Sequence, residues 1–198
     1  LTATVERLAG MPFLEYMRPR FLDRIGFSAD AWCVRTPEGG SWGGSGVICT
    51  LRDMAKVALA CLNSGLWGTE RVLPAEYVHA ATAKQIDNSL GGNDGYGYQI
   101  WCEKANGFSF RGMGSQYAIG VPDKEFLFTC IADTQGAPAG SAIPDVMWEE
   151  IYPHLADAPL PEDRDAQAAL AAKLARLTVL PLPGNVTAPV AAAVNGAW

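Results

Sequence analysis

From Gly95 to Asp133 the apolar residues change from a helical period to a period of two, and this stretch constrains the fold more than any other. Tyr96, Tyr98 and Ile100 alternate with smaller or polar residues, Phe108 and Phe110 do the same, and Phe126–Ala132 is almost wholly apolar. Alternation places successive side chains on opposite faces of a pleated strand, whereas an unbroken apolar run reads as a strand covered on both faces. Asn106-Gly107 and Pro122-Asp123-Lys124-Glu125 supply turns between the runs. Connections this short join antiparallel neighbours, so an antiparallel meander is expected.

The flanks are helical. Leu1, Val5 and Leu8 share a helical spacing that Gly10 closes, and Pro12 opens a second helix carrying Phe13, Leu14, Met17, Phe21 and Leu22, kinked or divided at Pro19 and closed by Gly26,. Residues 36 to 46 form a glycine-rich loop,. Thr50 with Asp53 forms a capping box for a helix to about Asn63, and a shorter helix runs from Leu73 to about Ala83,. Ser141 caps a helix to about Leu155 whose stripe of Ile143, Met147, Ile151 and Leu155 lies on the sheet,. After Pro159 and Pro161 an Ala-rich amphipathic helix, Glu162–Leu177, presents Leu170, Leu174 and Leu177 on one face. The fold class is therefore α+β, an antiparallel sheet packed against helices.

Bulk properties exclude several functions. With 198 residues, the chain is long enough for one substantial core,. A net charge of −6 without a Lys/Arg cluster opposes binding to nucleic acid or anionic membrane,. No apolar run is long enough to span a bilayer,. His79 and His154 are isolated, so no metal site is expected,. The five cysteines are odd in number and scattered, as buried free thiols of a cytoplasmic protein are,.

Three stretches, Gly43–Asp53, Gly95–Trp101 and Phe110–Asp133, together resemble the serine hydrolases of the β-lactamase and penicillin-binding type, which include simple esterases. The resemblance covers residues 1 to 157 and implies the C-terminal part of such a catalytic domain. It also implies that residues 158–198 are a helix and linker leading into a truncated β-rich domain. The Gly10-Met-Pro-Phe-Leu-Glu-Tyr-Met17 pattern is similar to the helix pair that follows the family's second motif. Family members pair a serine with a lysine three residues later, and a tyrosine with Asn or Ser two residues later. Neither spacing occurs in this sequence. The resemblance therefore implies that the nucleophile belongs to an N-terminal part of the same domain, a partner this chain lacks, and that the chain alone is inactive.

The third family motif, a cation followed by two residues ending in glycine, falls on Phe110, Arg111 and Gly112. The resemblance makes Phe110, Arg111 and Gly112 substrate-binding residues, but Phe110 cannot supply a cation, and Arg111 replaces it only if its guanidinium reaches around the strand. A strand neighbour points to the opposite face, so a surface ion pair is the favoured expectation for Arg111. By the same alignment the Met113 backbone N–H contributes to the oxyanion hole, with Gly112 and Gly114 letting substrate approach the strand. Gly43 and Gly44 correspond to a loop at the mouth of the site. Gly39-Gly40-Ser41-Trp42-Gly43 fits the Gly-x-Ser-x-Gly nucleophile elbow, but no apolar strand feeds it,. Tyr98 and Trp101 read as sheet packing.

The resulting expectation is an acyl-transfer hydrolase, when complete, for a small ester, amide or peptide, with no cofactor. The alternative is a ligand-binding or regulatory homologue in which the altered third motif marks lost catalysis.

Overall fold

The computed structural model describes residues 1–88, 94–134 and 142–178. The chain divides into two compact units, Leu1–Asp157 and Ala158–Trp198. In the first, helix α1 (Thr2–Ala9) ends on left-handed Gly10, and α2 (Phe13–Met17) continues through a π-turn at Arg18–Leu22 and a 3-10 turn at Asp23–Ile25 to left-handed Gly26. Pro19 lies in the π-turn, because proline has no N–H to donate and its ring crowds the preceding turn,. Two short hairpins follow: β1 (Trp32–Cys33) with β2 (Val47–Ile48), and β3 (Leu66–Trp67) with β4 (Glu70–Arg71). Helix α3 (Leu51–Leu62) lies between these hairpins in sequence, and α4 (Ala75–Thr82) follows them.

A five-stranded antiparallel sheet then runs in simple meander order: β5 (Gly95–Tyr96), β6 (Trp101–Cys102), β7 (Phe108–Gly112), β8 (Gln116–Val121) and β9 (Phe126–Ile131). Two expectations are corrected here. Tyr96 to Trp101 is not one strand: Gly97–Ile100 is a turn with Gln99 at φ +62°, so Tyr96 and Trp101 face each other across a hairpin. Their rings meet edge-on at 4.8 Å, while Tyr98 is half exposed against Tyr77. The apolar run of β9 is only partly covered, because β9 ends the sheet with β8 as its one neighbour among the described residues.

Alternation sorts the sheet into two packed faces. Phe108 and Phe110 of β7 share a face with Ala118 of β8 and Leu127 of β9, and pack on Met54, Ala58, Cys61 and Leu62 of α3. Tyr117, Ile119, Phe126 and Phe128 form the other face, against Ile143 and Met147 of α5 (Ala142–Val146) and the π-turn Met147–Ile151 that extends it. Each wholly buried side chain of this kind stabilises the fold by about 1.5–3 kcal/mol. Helix α3 is amphipathic in two directions, since Ala60 also packs on the lobe core of Phe21, Leu22, Ile25 and Phe27. Alanine lets α3 sit close to both layers.

In the second unit, α6 (Arg164–Leu174) is capped by Asp163, whose carboxylate accepts from Ala166 N. Leu170, Leu174 and Leu177 are exposed. The expected linker at 180–184 and the β-rich segment after it lie outside the described residues.

Candidate active site

A cavity of about 810 Å³ opens between the glycine-rich loop, α3 and the β7–β8 end of the sheet. Gly43, Gly44, Val47, Ile48 and Cys49 line it from the loop and β2, Met54 and Val57 from α3, and Phe110, Arg111, Gly112, Gln116 and Ile131 from the sheet. Five of the expected site residues therefore meet: Gly43, Gly44, Phe110, Arg111 and Gly112. Met113 and Gly114 are in the adjoining β7–β8 turn. Met113 is 86% exposed, and none of the backbone hydrogen bonds among the described residues uses its N–H.

The turn is held from behind. Gly114 and Ser115 have φ of +87° and +79°, and the second is costly for a residue with a Cβ,. Thr134 N donates to Gly114 O at 3.2 Å, Ala132 N donates to Ser115 O at 3.1 Å, and the hydroxyls of Ser115 and Thr134 are 2.5 Å apart. These bonds tie the turn to the segment after β9.

Arg111 departs from expectation. Its guanidinium is on the sheet face opposite Phe110, as strand alternation requires, but the pair it makes is not a surface pair,. Arg111 Nε and Nη2 donate to Glu103 Oε1 at 3.1 and 2.5 Å, and Ser109 Oγ donates to the same oxygen at 2.5 Å. The Glu103 side chain is 3% exposed and Ser109 is wholly buried. Burial makes this a matched charge pair that the sheet cannot lose cheaply.

The glycines have local reasons. A Cβ on Gly43 would come within 2.0 Å of Thr2 Oγ1, and one on Gly112 within 2.6 Å of Gln116 Oε1. Gly44 faces open space. Close side-chain neighbours therefore constrain both Gly43 and Gly112, where the sequence suggested substrate approach for Gly112 and a loop at the mouth of the site for Gly43.

Ser41 is no nucleophile elbow. It bridges to Arg35 across the glycine-rich loop, and its N–H donates to Glu6 Oε2 at 3.1 Å. Glu6 Oε1 accepts from Phe13 N at 2.8 Å, so one carboxylate joins α1, the start of α2 and the loop. The Ser41 hydroxyl, the Ser41 and Phe13 amides and nearby Arg35 together hold the Glu6 carboxyl below its ordinary range.

The other anchor is Asp53, first turn of α3. Burial pushes its carboxyl up, but bonds from the Thr50 hydroxyl, the Ser28 and Thr50 amides and Lys56 outweigh it, leaving the pKa at about 2. Lys56 also donates to Gly26 O. The capping box expected from Thr50 and Asp53 is present, with the further job of fixing the lobe to the helix that carries Met54 and Val57.

Sequence reasoning missed Gln99, Gln116, Met54, Val57 and Ile131. None belongs to a motif; strand and helix geometry alone brings them to the cavity. The cysteines at 33, 49, 61, 102 and 130 are all free, Cys102 is buried, and burial raises the Cys61 thiol to about 11. Among the described residues no helix is long and apolar enough to cross a membrane, and no group of His, Cys, Asp and Glu is arranged to hold a metal ion.

No protein-family model and no curated protein matches this chain. Among solved structures, "Putative 6-aminohexanoate-dimer hydrolase from Bacillus anthracis" superposes with a TM-score of 0.70 at 19% identity, over 80% of this chain and 42% of that one. The chain thus spans less than half the length of that structure. Over that span this chain shares the α+β fold of part of that structure.

Proposed function

We propose that this chain forms one wall of the active site of a β-lactamase-like serine hydrolase, with the acylated serine supplied by an N-terminal part of the same domain. The observation that carries the reading is the cavity itself: the glycine-rich loop and the Phe110–Gly112 strand converge on it, and exposed Met113, whose N–H makes no backbone hydrogen bond among the described residues, follows Gly112 directly. In this reading the Met113 N–H donates to the carbonyl oxygen as it gains negative charge, a term that in related chemistry is worth about 3–4 kcal/mol of barrier. Phe110 and the α3 side chains exclude water from the acyl group, and Gly43 and Gly44 border the entrance. The solved structure of similar fold is named a putative 6-aminohexanoate-dimer hydrolase, which supports a small amide, ester or peptide as the substrate class.

Treating this chain and the intact protein with a fluorophosphonate tests the assignment. Labelling of one serine outside these residues, in the intact protein alone, is the expected result. Labelling of any serine within them, or no labelling and no turnover of nitrophenyl esters, removes the enzymatic reading.

A specific observation favours a second reading. Among the described residues lining the cavity the one cation, Arg111, is committed to Glu103, so the third motif holds no free charge for catalysis or carboxylate binding. A ligand-binding homologue would leave the intact protein unlabelled yet able to bind small apolar ligands in the cavity.

A further inference from the structure

Gln116 opens β8 directly opposite Gly112, and the absent Cβ of Gly112 makes room for it. Its Nε2 donates to Ala132 O at 3.0 Å. A carbonyl oxygen only accepts, so this bond fixes the carboxamide with its nitrogen toward Ala132 and its oxygen toward Gly112 and the cavity,. No hydrogen bond among the described residues reaches that oxygen. The cavity therefore presents an oriented acceptor beside the strand residue that precedes Met113. Apart from the Glu103-bound Arg111, its described lining carries no basic side chain.

Resting on the hydrolase-wall reading, we propose that Gln116 is a specificity-determining residue. Its Oε1 accepts an N–H from the bound substrate while the Met113 N–H faces the substrate carbonyl. The site then selects uncharged secondary amides over isosteric esters and over carboxylates. An ester places an oxygen lone pair against Gln116 Oε1 and leaves that acceptor unpaired, and sites built to pair a polar group discriminate strongly against analogues lacking it. A carboxylate would enter an apolar cavity without a free cation, losing hydration with no compensating charge.

Ligand-observed saturation-transfer NMR on the 198-residue chain, which tolerates oligomers, tests this with N-methylhexanamide, methyl hexanoate and hexanoate. The amide is expected to bind roughly tenfold more tightly than the ester, with hexanoate weakest. Gln116→Met should bring the amide and ester within about twofold of each other, an effect on selectivity that general loosening of the turn would not produce. Gly44→Phe, whose side chain projects into open space, should abolish binding of both neutral ligands. Equal amide and ester affinities, both lost in Gly44→Phe, overturn the role of Gln116 while leaving the cavity as the binding site. No binding, or binding that Gly44→Phe leaves intact, overturns the cavity reading and this inference with it.

Discussion

Replacing Asp53 with Asn tests whether one carboxylate fastens α3, and with it the cavity wall, to the helical lobe. The side chain is 1% exposed and accepts from Ser28 N at 2.8 Å, Thr50 N at 3.2 Å, the Thr50 hydroxyl at 2.7 Å and Lys56 Nζ at 3.2 Å. Its pKa falls from the ordinary 3.8 to about 2. At about 1.36 kcal/mol per unit, the depression contributes roughly 2.5 kcal/mol of folding stability at neutral pH. Because the folded-state value is the lower one, the contribution is complete well above pH 3.8, where the unfolded carboxyl is ionised, and is lost as pH falls through about 2,. Urea unfolding at pH 6 should therefore separate wild type from Asp53→Asn by about 2–3 kcal/mol, shrinking below about 1 kcal/mol at pH 2.5. A gap that stays constant over that range, or is under about 0.5 kcal/mol at pH 6, refutes the argument, since the charge would then not be what holds the junction.

Other consequences can be measured separately. Arg111→Met strands the buried Glu103 carboxylate and should cost about 3–5 kcal/mol in urea unfolding, most of it recovered in Glu103→Gln/Arg111→Met; no recovery would show that the charge is not the cause. Gly43→Ala drives a Cβ into Thr2 and should destabilise by about 1–3 kcal/mol, relieved by Thr2→Gly, while Gly44→Ala should stay within about 0.5 kcal/mol of wild type,. Phe108→Ala empties the centre of the α3 face of the sheet and should cost about 3–5 kcal/mol, read as a lower denaturant midpoint at unchanged slope,. The outer edge of β9 and the half-exposed Ile131, Val146 and Ile151 should make the 198-residue chain associate on its own; a monodisperse monomer with a cooperative melt would contradict that,.

The partial match to expectation has physical causes in particular residues. Thr50 and Asp53 signalled the start of α3 because a capping box is satisfied within four residues and needs nothing distant,. Asn106-Gly107 and Pro122–Glu125 signalled the meander for the same reason. The Tyr96–Trp101 segment misled because alternation is compatible with one strand or with two short ones flanking a turn, and contact with α4 selects between them: Tyr98 N donates to Ala81 O at 3.0 Å, holding the turn in place,. Arg111 misled because its partner, Glu103, lies eight residues away, just past the end of β6. The five cavity residues that expectation grouped came from motifs, whereas Gln116 and Gln99 carry no signature.

The sequence alone determined the elements whose hydrogen bonds close locally: the helix caps, the tight turns and the antiparallel order of the strands. It also determined that these residues contain neither a serine with lysine three positions later nor a tyrosine with Asn or Ser two positions later. Tertiary structure decided the rest. Which face of β7 meets a buried carboxylate, why Gly43 and Gly112 must lack a Cβ, and where the Gln116 oxygen points all depend on atoms far apart in sequence. Short-range preferences set the backbone course within a few residues, but burial, charge pairing and close approach are properties of neighbours that only the assembled sheet, helix and loop bring together.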